Sequence, residues 1–385
     1  MNKPIDWGVF MPVGEGGWIR STTAPPVPAT WEYNRRVGVL AEELGLNFLF
    51  AMAKWRGFGG ETGHWDKTIE SVTMMAALAE CTKRPMLIPT IHTLAFNVGL
   101  VSKMIVTLDQ ISNGRAGLNI VSGWFTEELG QFGLWPENIT HEERYEVARE
   151  WVQACKLLWT RERVNFEGKF IHLNDAYSDP RPVQKPHPPI ICAGTSDTGL
   201  QFTVEEANAC FLSGPTHEDV AKISRRAKQI AHDLGKTTRT YQMAMVIPGE
   251  TVEEGFARHQ YYTDGTDMVA KTAGLAGALK QIEYAKTNGL AVAPTLERRV
   301  RRAQTKDPYI PGFPYYGTPA SIADQFEEII NEGDLDGFVL TFPDFIGDLD
   351  TFGRKVLPVL AERGLAQPFA IDPVGLAKAP AEALR

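Results

Sequence analysis

The stretch Trp31–Met52, WEYNRRVGVLAEELGLNFLFAM, decides the fold. Trp31 to Leu44 carries apolar residues at helical spacing and stops at Gly45, a C-cap signal. Asn47–Met52 (NFLFAM) then reads as a short apolar strand. Outward from this unit the same rhythm repeats. Upstream, Trp7–Val13 (WGVFMPV) reads as a buried strand. Downstream come a helix at Lys67–Cys81, a strand at Pro85–Pro89, a helix at Val98–Ile111, a strand at Ala116–Val121 and an amphipathic helix at His141–Trp159. After an interruption the pattern resumes with strands at Pro189–Ala193, Ala209–Leu212, Tyr241–Ile247 and Gly337–Leu340. Helices at Asp197–Ala207, His217–Leu234 and Leu349–Arg363 accompany them. Alternating strand and helix units imply a parallel sheet. Eight strands predict an α/β fold closed into a (β/α)8 TIM barrel. No GxGxxG follows the first strand, which speaks against an open doubly wound sheet.

Two segments break the rhythm. Residues 161–188 hold an alternating run (VNFEGKFIHL) and then a Pro-rich stretch, read as a hairpin and a connector after strand four. Residues 250–316 read as a mostly helical insertion between strands seven and eight, containing the basic run ERRVRRAQTK. That run reads as a solvated face or a lid hinge. The expected organisation is one barrel domain over 1–367, followed by a fraying tail at 368–385.

The 385 residues carry a net charge of −8, which disfavours a broad nucleic-acid or anionic-membrane surface. Four cysteines, at 81, 155, 192 and 210, form no CxxC, so neither a zinc module nor a disulfide scaffold is expected. No run approaches the roughly 18 apolar residues of a membrane span. The expectation is a soluble cytoplasmic chain that binds no metal.

In such barrels the residues at the C-terminal ends of the strands build the site. These are Ala53–Gly60 after strand two, Thr90 and His92 after strand three, and Asn119, Trp124 and Glu128 around strand four. Ser196 follows strand five and Phe342 follows strand eight. GxSxG and HExxH are absent and carboxylates are scarce, which excludes the common hydrolase layouts. What remains is small, amide, hydroxyl and aromatic chemistry, suited to a cofactor that does the chemistry itself. Gly194–Gly199 (GTSDTG) opens a helix whose N–H groups can hold an anion, or Ser196 serves as a plain N-cap. Arg144 can contact the same anion, or can pair with Glu142 or Glu143 on its own helix.

With these residues in place the sequence resembles the bacterial luciferase-like, two-component flavin-dependent monooxygenases. The resemblance rests on Gly114–Trp124 (GRAGLNIVSGW), His141–Tyr145 (HEERY) and Ile191–Ser196 (ICAGTS). Met52–Gly60 (MAKWRGFGG), Gly16-Gly17-Trp18 and Leu340–Phe345 (LTFPDF) are similar to the branch that opens the uracil ring. The resemblance implies reduced FMN supplied by an NAD(P)H:flavin reductase, with O2 as co-substrate and a flavin N5-peroxide attacking a ring carbonyl. It further implies that Ala53, Lys54, Asn119, Glu128, Arg144, Tyr145 and Ser196 bind FMN. Thr90 and Asn119 would seat O2 and act in catalysis, with Phe58, His92, Trp124 and Phe342 lining the substrate pocket. A homo-oligomer, dimer or tetramer, is expected. Phe125-Thr126-Glu127 is closer to sulfone and sulfonate monooxygenases, which makes a sulfone, sulfonate or haloaromatic the alternative substrate. Deazaflavin-dependent hydride transfer and a non-catalytic flavin carrier are the alternative functions.

Overall fold

A computed structural model describes residues 5–367, apart from 138, 215, 274, 288, 290, 291, 293–296, 298, 299, 302 and 310–313. The tail expected at 368–385 lies outside the described residues, as do Arg298, Arg299 and Arg302 of the basic run.

The strands are β1 (Asp6–Phe10), β2 (Phe48–Phe50), β3 (Met86–Ile88), β4 (Thr90–His92), β5 (Leu118–Val121), β6 (Val164–Glu167), β7 (His172–Ala176), β8 (Ile190–Cys192), β9 (Ala209–Leu212), β10 (Arg239–Pro248), β11 (Pro314–Gly317) and β12 (Gly337–Thr341). The main sheet runs β3-β2-β1-β12-β10-β9-β8-β5-β4, and every pairing along it is parallel. β3 pairs with β2, and β4 pairs with β5. One extended segment, interrupted at Pro89, therefore brings the two ends of the sheet together as a barrel. Proline has no N–H for the ladder, so the segment changes partner there. The strand expected to end at Pro89 accordingly continues, and Thr90 and His92 are strand residues rather than loop residues. β6 and β7 form a separate antiparallel hairpin, and β11 adds to β10.

The helices are α1 (Trp31–Glu43), α2 (Ser71–Cys81), α3 (Val98–Ile111), α4 (Thr126–Gly130), α5 (His141–Thr160), α6 (Asp197–Glu206), α7 (His217–Asp233), α8 (Val252–Asp264), α9 (Met268–Thr272) and α10 (Leu275–Thr287). The helix Pro319–Gly333 and a helical stretch from Gly347 to Glu362 complete the outer layer. Thr or Asn side chains cap α1, α3, α5, α7 and α8, and Ser196 caps α6. The helix Pro319–Gly333 supplies the crossover between β10 and β12 and was absent from the sequence reading. Its signals are Thr318 as N-cap and proline in the first turn.

Phe48, Phe50, Ile88, Ile191, Phe211, Tyr241 and Val339 fill the barrel axis. Each such phenylalanine contributes about 1.5–3 kcal/mol on burial. Gly8 makes room for this layer, since a Cβ there would lie 2.2 Å from the Phe48 ring. At the N-terminal end, Tyr241 donates to Asp6 at 2.7 Å and Arg239 pairs with Asp6 at 2.6 Å. Trp7, Phe326, Phe338 and Phe352 pack between barrel and helices. No helix among the described residues is long and apolar enough to cross a membrane.

Candidate active site at the barrel mouth

Alternate residues of a strand face opposite sides of the sheet. Thr90 lies two residues beyond the interior-lining Ile88, and its register partner Asn119 pairs in turn with the interior-lining Ile191. The two therefore form a buried polar pair above an apolar barrel interior. Thr90 Oγ1 donates to the Ala51 carbonyl at 2.5 Å, and Asn119 Nδ2 donates to Thr90 Oγ1 at 2.9 Å. A carbonyl only accepts, so the direction of this chain is fixed. Asn119 Oδ1 is consequently an acceptor, and it is buried without a partner among the described residues.

His92 follows on the same strand. Its Nε2 lies 3.4 Å from the Ala53 carbonyl, while Nδ1 is buried without a partner among the described residues. Burial pushes the imidazole below its ordinary range and Lys54 adds to this, against the opposing pull of Glu128 and the Ala53 carbonyl.

Lys54 and Glu128 form an ion pair at 3.2 Å with side chains 3% and 2% exposed. The Lys54 ammonium sits 4.3 Å from the Phe125 ring centre, 4.8 Å from Phe58, 5.0 Å from Trp124 and 5.9 Å from Trp65. Cation–π attraction and the carboxylate together offset its desolvation. The other Glu128 oxygen accepts from the Trp55 N–H at 2.7 Å. Trp124 is 44% exposed and Phe58 only 8%, so the aromatic wall runs from solvent inward.

A second cluster lies at the starts of α5 and α6. Arg144 is buried and donates to the Gly123 carbonyl at 2.7 Å, next to Trp124. It does not pair with its helix glutamates: Glu143 closes a capping box with Thr140, and Glu142 lies beside His141. Arg144 Nε is buried without a partner among the described residues. Ser196 Oγ accepts from the Gly199 N–H at 3.1 Å and lies 3.4 Å from His141 Nε2. The Tyr145 hydroxyl and Ser196 Oγ both face Gly199, and the Tyr145 ring lies edge-on to His141 at 5.2 Å. Ser196 is thus an N-cap, yet one set among further polar groups. A Cβ on Gly199 would lie 2.4 Å from the Tyr145 hydroxyl, so only glycine fits this corner. An orphaned guanidinium N–H, two hydroxyls and the first-turn N–H groups of a helix suit an anion.

The structure therefore brings Ala53, Lys54, Phe58, Thr90, His92, Asn119, Trp124 and Glu128 together, and places Arg144, Tyr145 and Ser196 as a linked second cluster. Phe342 does not join them. It directly follows β12, four residues beyond Phe338, and is fully buried, with ring contacts to Phe345 at 5.9 Å and Phe352 at 6.1 Å. The contact with Phe352, which packs with Trp7 and Phe326, sets it against the helix layer.

Sequence reasoning missed His64, Trp65 and Phe125 as neighbours of Lys54. His64 is fully buried, its ring tilted against Trp65 at 4.7 Å, and has neither ring nitrogen paired among the described residues. Burial, with Arg20 and Lys54 nearby, holds it well below the ordinary imidazole range. Trp65 is in the left-handed region at φ 60, a strained conformation for a bulky residue. The glycine-rich run before them marked a tight loop, but no sequence signal showed where its far side would land.

Burial also lowers the pKa of His141, His187, His217 and His259. The unfolded chain takes up protons on these groups near pH 6.5, while the folded chain resists. Their contribution to stability is full above about pH 6.5 and is lost as pH falls toward the folded values. Asp109 and Asp348, raised by burial, have the opposite sign and act from the carboxylate range upward. Thermal melts should show Tm falling from pH 6.5 to 5. A His64→Phe variant should lose less between pH 7.5 and 5.5 than the parent. Equal losses would remove His64 from this account.

A family model described as luciferase-like monooxygenase matches residues 5–335. The chain belongs to the luciferase-like monooxygenase family. Pyrimidine monooxygenase RutA of Methylorubrum extorquens is 36% identical over 361 residues, covering 92% of this chain and 96% of that protein. Pyrimidine monooxygenase RutA of Acinetobacter baylyi is 34% identical over 360 residues, covering 92% and 95%. Among solved structures, riboflavin lyase RcaE with modified FMN and riboflavin has a TM-score of 0.80 at 23% identity, covering 97% of this chain and 94% of that one. At that identity the likeness establishes the barrel.

Proposed function

We propose that this chain is a two-component monooxygenase that uses reduced FMN and O2 to insert oxygen at a ring amide of a pyrimidine such as uracil. An NAD(P)H:flavin reductase is its partner. The observation that carries the reading is the Thr90–Asn119 pair at the mouth of an apolar barrel, flanked by the Lys54–Glu128 pair and linked through Gly123 to an anion-fitting corner. The relatives' pyrimidine activity, at 34–36% identity over 92% of the chain, supports the substrate.

The residues present fit FMN. The orphaned Arg144 Nε, Tyr145, Ser196 and the start of α6 provide a seat for a phosphate. Ala53, Lys54, Glu128 and Asn119 would hold the ring and the ribityl chain. Reduced FMN, when bound, supplies the electrons and the O2-reactive centre. Asn119 spends one amide N–H on Thr90 and keeps a second, which can stabilise negative charge as it develops. Phe58, Phe125 and Trp124 keep water from the centre.

Arg144→Ala and Ser196→Ala should each weaken FMN binding, the arginine more strongly and with greater salt dependence. Hydrogen bonds to charged groups are worth about 1.5–3 kcal/mol. Unchanged FMN affinity in both would move the phosphate seat elsewhere. Incubation with FMN, flavin reductase, NADH, O2 and uracil tests the function, read as loss of uracil absorbance that requires every component. Consumption of a sulfone or haloaromatic with uracil untouched would shift the substrate. NADH-independent hydride transfer with a deazaflavin would replace the chemistry.

A further inference from the structure

We propose that His92 sets substrate choice: its Nδ1 accepts a hydrogen bond from an N–H or O–H group of the substrate. The inference rests on the reading above that the mouth holds a flavin and a small ring. The Ala53 carbonyl, 3.4 Å from Nε2, can only accept, so Nε2 carries the proton. A neutral imidazole protonated there has a bare lone pair at Nδ1. That atom is buried with no partner among the described residues, and the whole residue is 3% exposed.

The neutral form is the one the surroundings favour. The charged groups that face His92 are Lys54 and Glu128, which are already paired with each other at 3.2 Å. His92 follows Thr90 by two residues on β4 and shares its face of the strand. The bare Nδ1 and the bare Asn119 Oδ1 therefore belong to one row of inward polar groups, both acceptors, each fixed by a backbone carbonyl at Ala53 or Ala51. With Asn119 serving the flavin, His92 is the acceptor left for the substrate. Two acceptors call for donors. The fitting ligands are uncharged rings with a free N–H or O–H beside the reacting carbon, such as lactams, imides and phenols. Sulfones and N-methylated or O-methylated rings leave Nδ1 unpaired, and a buried unpaired acceptor costs about tenfold or more in affinity.

The test compares pairs that differ only by methylation of the donor on the FMN-loaded protein: uracil against 1,3-dimethyluracil, and a chlorophenol against its chloroanisole, with dimethyl sulfone as a small donor-free control. Binding is read by calorimetry and turnover with reductase, NADH and O2. The parent should favour the donor-bearing member at least tenfold, mainly in KM. His92→Ala should reduce that preference below about threefold while leaving FMN affinity unchanged. His92→Asn, which restores an acceptor oxygen, should recover part of it, and FMN titration reports whether each variant is folded. With oxidised FMN, adding the preferred ligand should shift the 15N resonance of an unprotonated His92 Nδ1. If uracil is untouched but chlorophenol is preferred over chloroanisole in a His92-dependent way, the pyrimidine reading fails and this one stands. If uracil is consumed and the preference survives His92→Ala, this one fails and the pyrimidine reading stands. Exclusive use of donor-free substrates, loss of FMN affinity without loss of preference, or no binding by any member each overturns it.

Discussion

Replacing Asn119 by alanine is expected to leave FMN bound through the Arg144, Tyr145 and Ser196 corner while lowering oxygen transfer about 100–1000-fold, the usual loss for one preorganised donor at a developing charge. The effect should be large because Asn119 is not free to be replaced by a neighbour. Thr90 Oγ1 is committed to the Ala51 carbonyl and takes the Asn119 amide as its own donor. Removing the amide therefore strips the row of its remaining N–H and leaves Thr90 pointing away. NADH oxidation should continue with little product, the released oxygen appearing as hydrogen peroxide. Product formation at the parent rate in an FMN-loaded Asn119→Ala protein would remove Asn119 from the chemistry.

Glu128→Ala is expected to destabilise the fold by about 3–5 kcal/mol, the range for removing one partner of a buried ion pair. The Lys54 ammonium is 3% exposed and has the Glu128 carboxylate as its counter-charge at 3.2 Å. Glu128 also accepts from the Trp55 N–H, so its loss opens the loop after β2 as well. The double variant Lys54→Met/Glu128→Leu should recover most of the stability, because it removes the cation along with its partner, while FMN binding stays impaired. Urea melts of the two variants and the parent decide this. A single variant as stable as the parent would mean that water reaches the ammonium freely.

The barrel was legible because short apolar runs and helical spacings follow from which faces are buried, and Phe48, Phe50, Ile88 and Ile191 lie on the axis as their runs required. Five features were not legible, for physical reasons. Pro89 reads as a strand terminator, yet the chain resumes as β4 because a different neighbour, β5, offers the ladder. Helix α4 spans five residues, too short to show a period, so Glu128 is placed near strand four by chain position alone and its role only by resemblance. Phe342 looked like a mouth residue by position along the chain, but its ring contact with Phe352 is set by tertiary packing, which a sequence leaves open. The contact between Arg144 and Gly123 joins residues 21 apart, and no local pattern encodes it. His64 was invisible for the same reason, since its surroundings come from Gly16, Arg20 and Lys54.

The most direct test of the account is mass analysis of the product formed from uracil under 18O2 with FMN, a flavin reductase and NADH. The account predicts one 18O atom per molecule of ring-opened product, formed only when reductase and O2 are both present. An unlabelled product, or intact uracil beside full oxidation of NADH to hydrogen peroxide, would contradict it.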